Sequence, residues 1–136
     1  MVAIPAGAGA QGSLRVMILS ANPETADGLQ AYLLGAGLPS QCIRDLRDLE
    51  RPVSAPPAAL VVFPDDFGHV EVLRVLRRLR RARPHALVLL VTREPQHFRG
   101  AVDADRGSRP PILLARPCFG WDILDVIRTH SPSASL

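Results

Sequence analysis

Four short runs of this chain are apolar without a polar break: Val16-Met17-Ile18-Leu19, Leu60-Val61-Val62-Phe63, Leu87-Val88-Leu89-Leu90-Val91 and Ile112-Leu113-Leu114-Ala115. Side chains of a strand alternate between its two faces, so a strand of this kind must be covered on both sides. Helical periods lie between the runs, and strands alternating with helices specify a parallel sheet with helices packed above and below it. Right-handed crossovers leave few ways to connect such a sheet. A weaker strand around Gln41-Cys42-Ile43-Arg44 brings the expected number to five. The expected architecture is a three-layer α/β domain.

The helices are marked by their ends. Asn22 can cap a helix that has Pro23 in its first turn and Ala26, Leu29, Leu33 and Ala36 at three- and four-residue spacing. Gly35-Ala36-Gly37 stops it. Asp45 to Arg51 has room for about two helical turns before Pro52, Pro56 and Pro57 forbid continuation. His69 to Arg83 is the longest helical stretch. The polar segment from Glu94 to Pro110 holds at most a short helix near Phe98 to Ala104, and Trp121 to Arg128 forms the last. The second and fourth helices are thus expected to be short or irregular. Residues 1–13 read as a flexible leader, 14–130 as the folded domain and 131–136 as a frayed tail.

Composition removes several function classes. The chain has 136 residues, enough for a single core. Its longest apolar run, from Ala86 to Val91, is far below the roughly 18–20 residues of a membrane span, and the start lacks a signal-peptide pattern. A cytoplasmic protein is the expectation. All 16 basic residues are arginine, so Schiff-base lysine chemistry and a lysine-bearing phosphate loop are excluded. Cys42 and Cys118 are too few and too far apart for a disulfide framework and read as reduced, half-buried hydrophobes. His69, His85, His97 and His130 lack metal-ligand spacing, and no metal or other cofactor is expected.

In an open parallel sheet, ligands bind beyond the carboxyl ends of the strands. The residues arriving there are Ser20, Ala21 and Asn22 after the first strand and Pro64, Asp65 and Asp66 after the third. Thr92 and Arg93 follow the fourth, Arg116 and Pro117 the fifth. With this element order, Pro23 beyond the first strand, Thr92 ending the fourth and Arg116-Pro117-Cys118-Phe119 leading into the last helix, the chain resembles a CheY-like response-regulator receiver domain over Leu14 to His130. The resemblance implies a flavodoxin-like fold with strand order 2-1-3-4-5. It also implies a cis Arg116–Pro117 bond.

Receivers transfer a phosphoryl group onto an aspartate with the help of magnesium. They use an acidic pair after the first strand, an acceptor aspartate at the end of the third, a hydroxyl after the fourth and a lysine after the fifth. Here the acidic pair falls on Ser20 and Ala21, the acceptor on Pro64 and the lysine on Arg116; only Thr92 and Pro117 match. Leu114 stands where receivers often carry a switching aromatic. The resemblance is therefore to a degenerate receiver, a pseudo-receiver.

Three readings of Asp65-Asp66 stay open at this stage. The plainest is a solvated turn in which Asp66 caps the following helix. In a second, Asp65 pairs with Arg116, whose planar fork can meet a carboxylate in two hydrogen bonds. In a third, Asp65 or Asp66 accepts phosphate, which requires an irregular loop to turn Asp65 toward the pocket. A phosphate site at Ser20-Ala21-Asn22-Pro23-Glu24-Thr25 is disfavoured by the lack of glycine and by the charge of Glu24, and plain capping accounts for the segment.

The charge is concentrated elsewhere. Val70 to Arg83 carries six arginines against Glu71, a net +5 in a chain whose total is +3. At about 100° per residue, Arg74, Arg77, Arg78 and Arg81 share one face, and Val72, Val75, Leu76 and Leu79 lie on the opposite one. The plain reading is the solvated outer face of a covering helix; against it, like charges at helical spacing repel one another, and such a stripe suits an acidic partner. Nucleic acid is a weaker alternative because no aromatic residue is interleaved with these arginines. Trp121 reads first as core packing; receivers commonly dock or pair through their last strand and helix, so Trp121, Ile123 and Val126 are also candidate partner contacts. The expected function is a phosphorylation-independent protein–protein interaction module in bacterial signal transduction, without catalytic turnover. Its partner would be another signalling protein or a second copy, with no membrane involved.

Overall fold

The computed structural model describes residues 15–50, 59–83, 86–100 and 110–130. Five parallel strands, β1 (Val16–Leu19), β2 (Ser40–Ile43), β3 (Ala59–Val62), β4 (Leu87–Thr92) and β5 (Ile112–Ala115), form one sheet in the order β2-β1-β3-β4-β5. Helices α1 (Pro23–Gly35), α2 (His69–Ala82) and α3 (Gly120–His130) cover it. The expected leader and tail lie outside the described residues, as does Ala101 to Ala104 of the segment expected to hold a short helix. What is described there is a 3-10 turn at Pro95–Phe98 that runs into helical backbone at Arg99 and Gly100.

The alternation of strand side chains divides the core into two layers. Val16 and Ile18 of β1, Ala59 and Val61 of β3, and Leu87, Leu89 and Val91 of β4 pack with Ala26, Leu29 and Leu33 of α1 and Ile123, Leu124 and Ile127 of α3. Met17, Leu19, Leu60, Val62, Val88 and Leu90 point the other way, onto Val72 and Leu76 of α2. Every residue of β1, β3 and β4 is buried. Each large aliphatic side chain so placed is worth about 1.5–3 kcal/mol relative to exposure, so the middle of the sheet carries the stability.

Helix α1 begins and ends as its sequence directs. Asn22 Oδ1 accepts from the amides of Glu24 (3.0 Å) and Thr25 (3.4 Å). At the other end Gly37 takes a φ of +87°, the left-handed conformation that glycine adopts freely, while Leu38 N donates to Leu33 O and Gly37 N to Leu34 O. The segment from Asp45, expected to make about two helical turns and to be short or irregular, is a 3-10 stretch, Leu46–Glu50. Asp45 accounts for its start, since the Asp45 carboxylate takes the Arg47 amide at 2.9 Å and competes with a regular first turn.

Cys42 and Cys118 are free and half-buried, and burial pushes both thiols up. The carboxylates of Asp27 and Asp122 act in the same direction on Cys42 and Cys118 respectively. Both should therefore react with iodoacetamide at pH 8 several-fold more slowly than free cysteine, measured by mass spectrometry against time. Equal rates would show that neither thiol is shielded.

Candidate functional site

The parallel sheet brings the ends of β1, β3, β4 and β5 to one edge. β3 lies between β1 and β4, and past its last residue the chain makes a 3-10 turn, Pro64–Asp66. Its two aspartates leave in opposite directions, and in this setting the opposition is lateral. Asp66 reaches β1 and Asp65 reaches β4.

The two contacts have the same form. Ser20 Oγ donates to Asp66 Oδ2 at 2.6 Å and accepts from the amide of Asn22 at 3.1 Å, while Ala21 N donates to Asp66 Oδ2 at 3.0 Å. Thr92 Oγ1 donates to Asp65 Oδ1 at 2.5 Å and accepts from the amide of Glu94 at 3.0 Å, while Arg93 N donates to Asp65 Oδ2 at 2.9 Å. Each buried hydroxyl thus gives its proton to a carboxylate and receives the amide two residues on. Each carboxylate also takes the amide that follows its hydroxyl partner. Ser20 and Thr92 are both fully buried, so these are hydrogen bonds the fold cannot leave unmade. The turn after β3 is a clasp between the ends of its two neighbours.

Arg116, after β5, adds charge to the Thr92 side. Its Nη1 lies 3.5 Å from Asp65 Oδ2, and its guanidinium stands 5.7 Å over the Phe63 ring. The ion pair expected between Asp65 and Arg116 is present, but as a single contact and not as a two-bond fork, with the Phe63 ring beneath the guanidinium. The Arg116–Pro117 bond is cis.

The structure corrects the plainest reading of the acidic pair. Asp66 does not cap α2: that helix starts from Gly68, whose carbonyl accepts from Val72 N, with no side-chain cap. A serine at the end of β1 was the available signal for the partner of Asp66, but only the strand order says which aspartate it meets. Pro64 is buried and offers no nucleophile.

This donor set does not suit magnesium, which takes hard oxygens and usually one or two carboxylates. Ser20 and Ala21 supply none. One Asp66 oxygen is held by Ser20 and Ala21, and both Asp65 oxygens by Thr92, Arg93 and Arg116. Among the described residues, no three His, Cys, Asp or Glu side chains are placed to hold a metal ion.

Of the other singled-out residues, Arg74, Arg77, Arg78 and Arg81 form an exposed stripe along α2. Arg80 is buried despite its charge, because it falls one turn after Leu76 on the covered side of the helix. Trp121 is not core: it is 58% exposed and stacks on Phe119 with ring centroids 4.5 Å apart. The reason is helical phase, since Ile123, Leu124 and Ile127 take the covered face of α3. Ile123 is therefore buried and not a partner contact, and Val126 packs against the core from its edge. Phe119 and Tyr32, both exposed, are surface residues that the sequence reading did not single out; the Tyr32 ring lies against Gly120, where an added Cβ would come within 2.8 Å of it.

No family model matches the sequence, and no curated protein does. Solved structures do. An adenylate cyclase structure from Rhodopirellula baltica superposes with a TM-score of 0.74 at 18% identity, covering 90% of each chain. A sensor protein from Polaromonas gives 0.62 at 25% identity, over 88% of this chain and 98% of that one. A CheY-like response-regulator receiver domain protein from Methanospirillum hungatei gives 0.66 at 16% identity, over 90% and 98%.

Proposed function

Given that the chain has the CheY-like receiver fold, we propose that it is a pseudo-receiver: a signal-transduction module that works by protein–protein contact, without phosphorylation and without turnover. One observation carries this reading. The two carboxylates at the pocket edge are already engaged by the chain's own hydroxyls, amides and arginine. A phosphoacceptor must present a carboxylate oxygen to the incoming phosphorus, next to an ion. Here Asp65 instead lies against Thr92 and Arg116, the residues at the positions that read a phosphoryl group in receivers, and the ion's carboxylates are missing. The clasp fixes the arrangement of β1, β3 and β4 at their ends with nothing to be added or removed.

The partner surfaces in this reading are the arginine stripe of α2 and the exposed Phe119–Trp121 pair at the start of α3. A cytoplasmic location goes with it, and among the described residues no helix is long and apolar enough to cross a membrane.

The test is a titration with magnesium and beryllofluoride, followed by Trp121 fluorescence, alongside labelling with a small-molecule phosphodonor. The expected result is no saturable change and no acid-labile phosphoryl group. Saturable, magnesium-dependent binding that Asp65→Asn abolishes would overturn the reading and make Asp65 an acceptor.

A further inference from the structure

Among the described residues, the helices on the two sides of the sheet carry opposite charge. On one side, helix α2 holds five arginines against Glu71, a net +4, and the 3-10 stretch Leu46–Glu50 packed beside it carries −1. On the other side, α1 holds Glu24 and Asp27 with no basic residue, and α3 holds Asp122 and Asp125 against Arg128. With histidine neutral, α1 and α3 together carry −3. Asp122 is partly spent on the Phe119 amide (2.8 Å), but Glu24, Asp27 and Asp125 are exposed.

The acidic side also carries the exposed aromatics. Phe119 and Trp121 stack on each other, Trp121 precedes Asp125 by one helical turn, and Tyr32 closes against Gly120 between α1 and α3. Half of the chain's six aromatic residues thus lie at this one surface. Carboxylates beside aromatic faces suit guanidinium groups, which pair with the first and stack on the second. Arginines at 74, 77 and 81 present such groups along two turns of one helix face.

We infer that this chain associates with itself head to tail, the arginine stripe of α2 on one copy seated against the acidic, aromatic α1–α3 face of the next. The contact joins two different surfaces, so it leaves one of each unused at the ends and grows into chains or closes into rings. It stands apart from the pseudo-receiver reading, because neither surface includes the clasp and a phosphorylatable domain could associate in the same way.

Sedimentation of the wild-type protein at about 10 mM and about 1 M salt, where the Debye length is about 30 Å and about 3 Å, gives the first readout. Species larger than a dimer should form at low salt, grow with concentration, and weaken at least roughly tenfold at high salt. Trp121, the only tryptophan, should shift its emission to the blue as it is covered. Two neutralised variants decide the geometry. The triple variant Arg74→Gln, Arg77→Gln, Arg81→Gln and the triple variant Glu24→Gln, Asp27→Asn, Asp125→Asn should each be monomeric, and their mixture should give a 1:1 dimer and nothing larger. All six positions are exposed, and circular dichroism checks that both variants fold. A symmetric dimer that survives either triple substitution would overturn the inference. So would a wild type that stays monomeric at low salt, including one that instead binds polyglutamate or duplex DNA through α2.

Discussion

Asp65→Ala should lower the unfolding free energy by about 3 kcal/mol, a fall of roughly 10 °C in melting temperature. The substitution removes no core packing; its cost comes from what is left behind. Thr92 Oγ1 is fully buried and loses the acceptor for its proton, and Arg116 keeps a charge that is only 23% exposed, while the exposed Arg93 N passes to water. Unpaired buried donors cost about 1–3 kcal/mol, and charged ones more. Asp65→Asn should cost about a third as much, because an amide oxygen still accepts from Thr92. The exposed Arg47–Asp45 pair, although shorter at 2.8 Å, is the control: Arg47→Ala should leave the melting temperature unchanged. Differential scanning calorimetry of the three variants separates these outcomes. If Asp65→Ala melts with the wild type, the clasp on β4 contributes nothing and Asp65 is a solvent-facing side chain.

The same contact shows how far the sequence could be read. Strands apolar on both faces, Asn22 before Pro23 and glycine after Ala36 each have a local cause, and each appears in the structure where the residues put it. Asp65 and Asp66 have no local cause of that kind. Their destinations depend on which strands flank β3, information that resides in the whole sheet. Alternation along the chain says that they diverge but not toward what. Trp121 is a different case. Ile123, Leu124 and Ile127 set the phase of α3, and Trp121 falls outside the face they define. That signal was present in the sequence, and the general tendency of tryptophan toward burial obscured it. Arg80 is the mirror image: its position is set by Leu76 one turn earlier, and its long aliphatic stem lets a charged residue occupy the covered face.

The β1 side of the clasp carries the other large effect. Ser20→Asp puts a carboxylate at the position that the resemblance assigns to a receiver's acidic pair, and here it should destabilise the protein by about 3 kcal/mol or more. Ser20 is fully buried, and its hydroxyl sits 2.6 Å from Asp66 Oδ2, so the substitution replaces a donor by a second acceptor and sets two like charges against each other. Ser20→Ala, which removes the donor but adds no charge, should lose about 1–2 kcal/mol, because Ala21 N still reaches Asp66. Charge accounts for the difference between the two variants, and it can be isolated by pH. A proton shared by the pair relieves the repulsion, so the gap should narrow at pH 4 and widen at pH 7. Two facing carboxylates are also what a divalent ion needs, so millimolar magnesium should recover part of the loss in Ser20→Asp while leaving the wild type unmoved. Urea denaturation at the two pH values, with and without magnesium, measures all of it. If Ser20→Asp is as stable as the wild type in the absence of metal, Asp66 does not occupy the space beside β1. The clasp would then bind only β4, and the pocket would still have room for an ion.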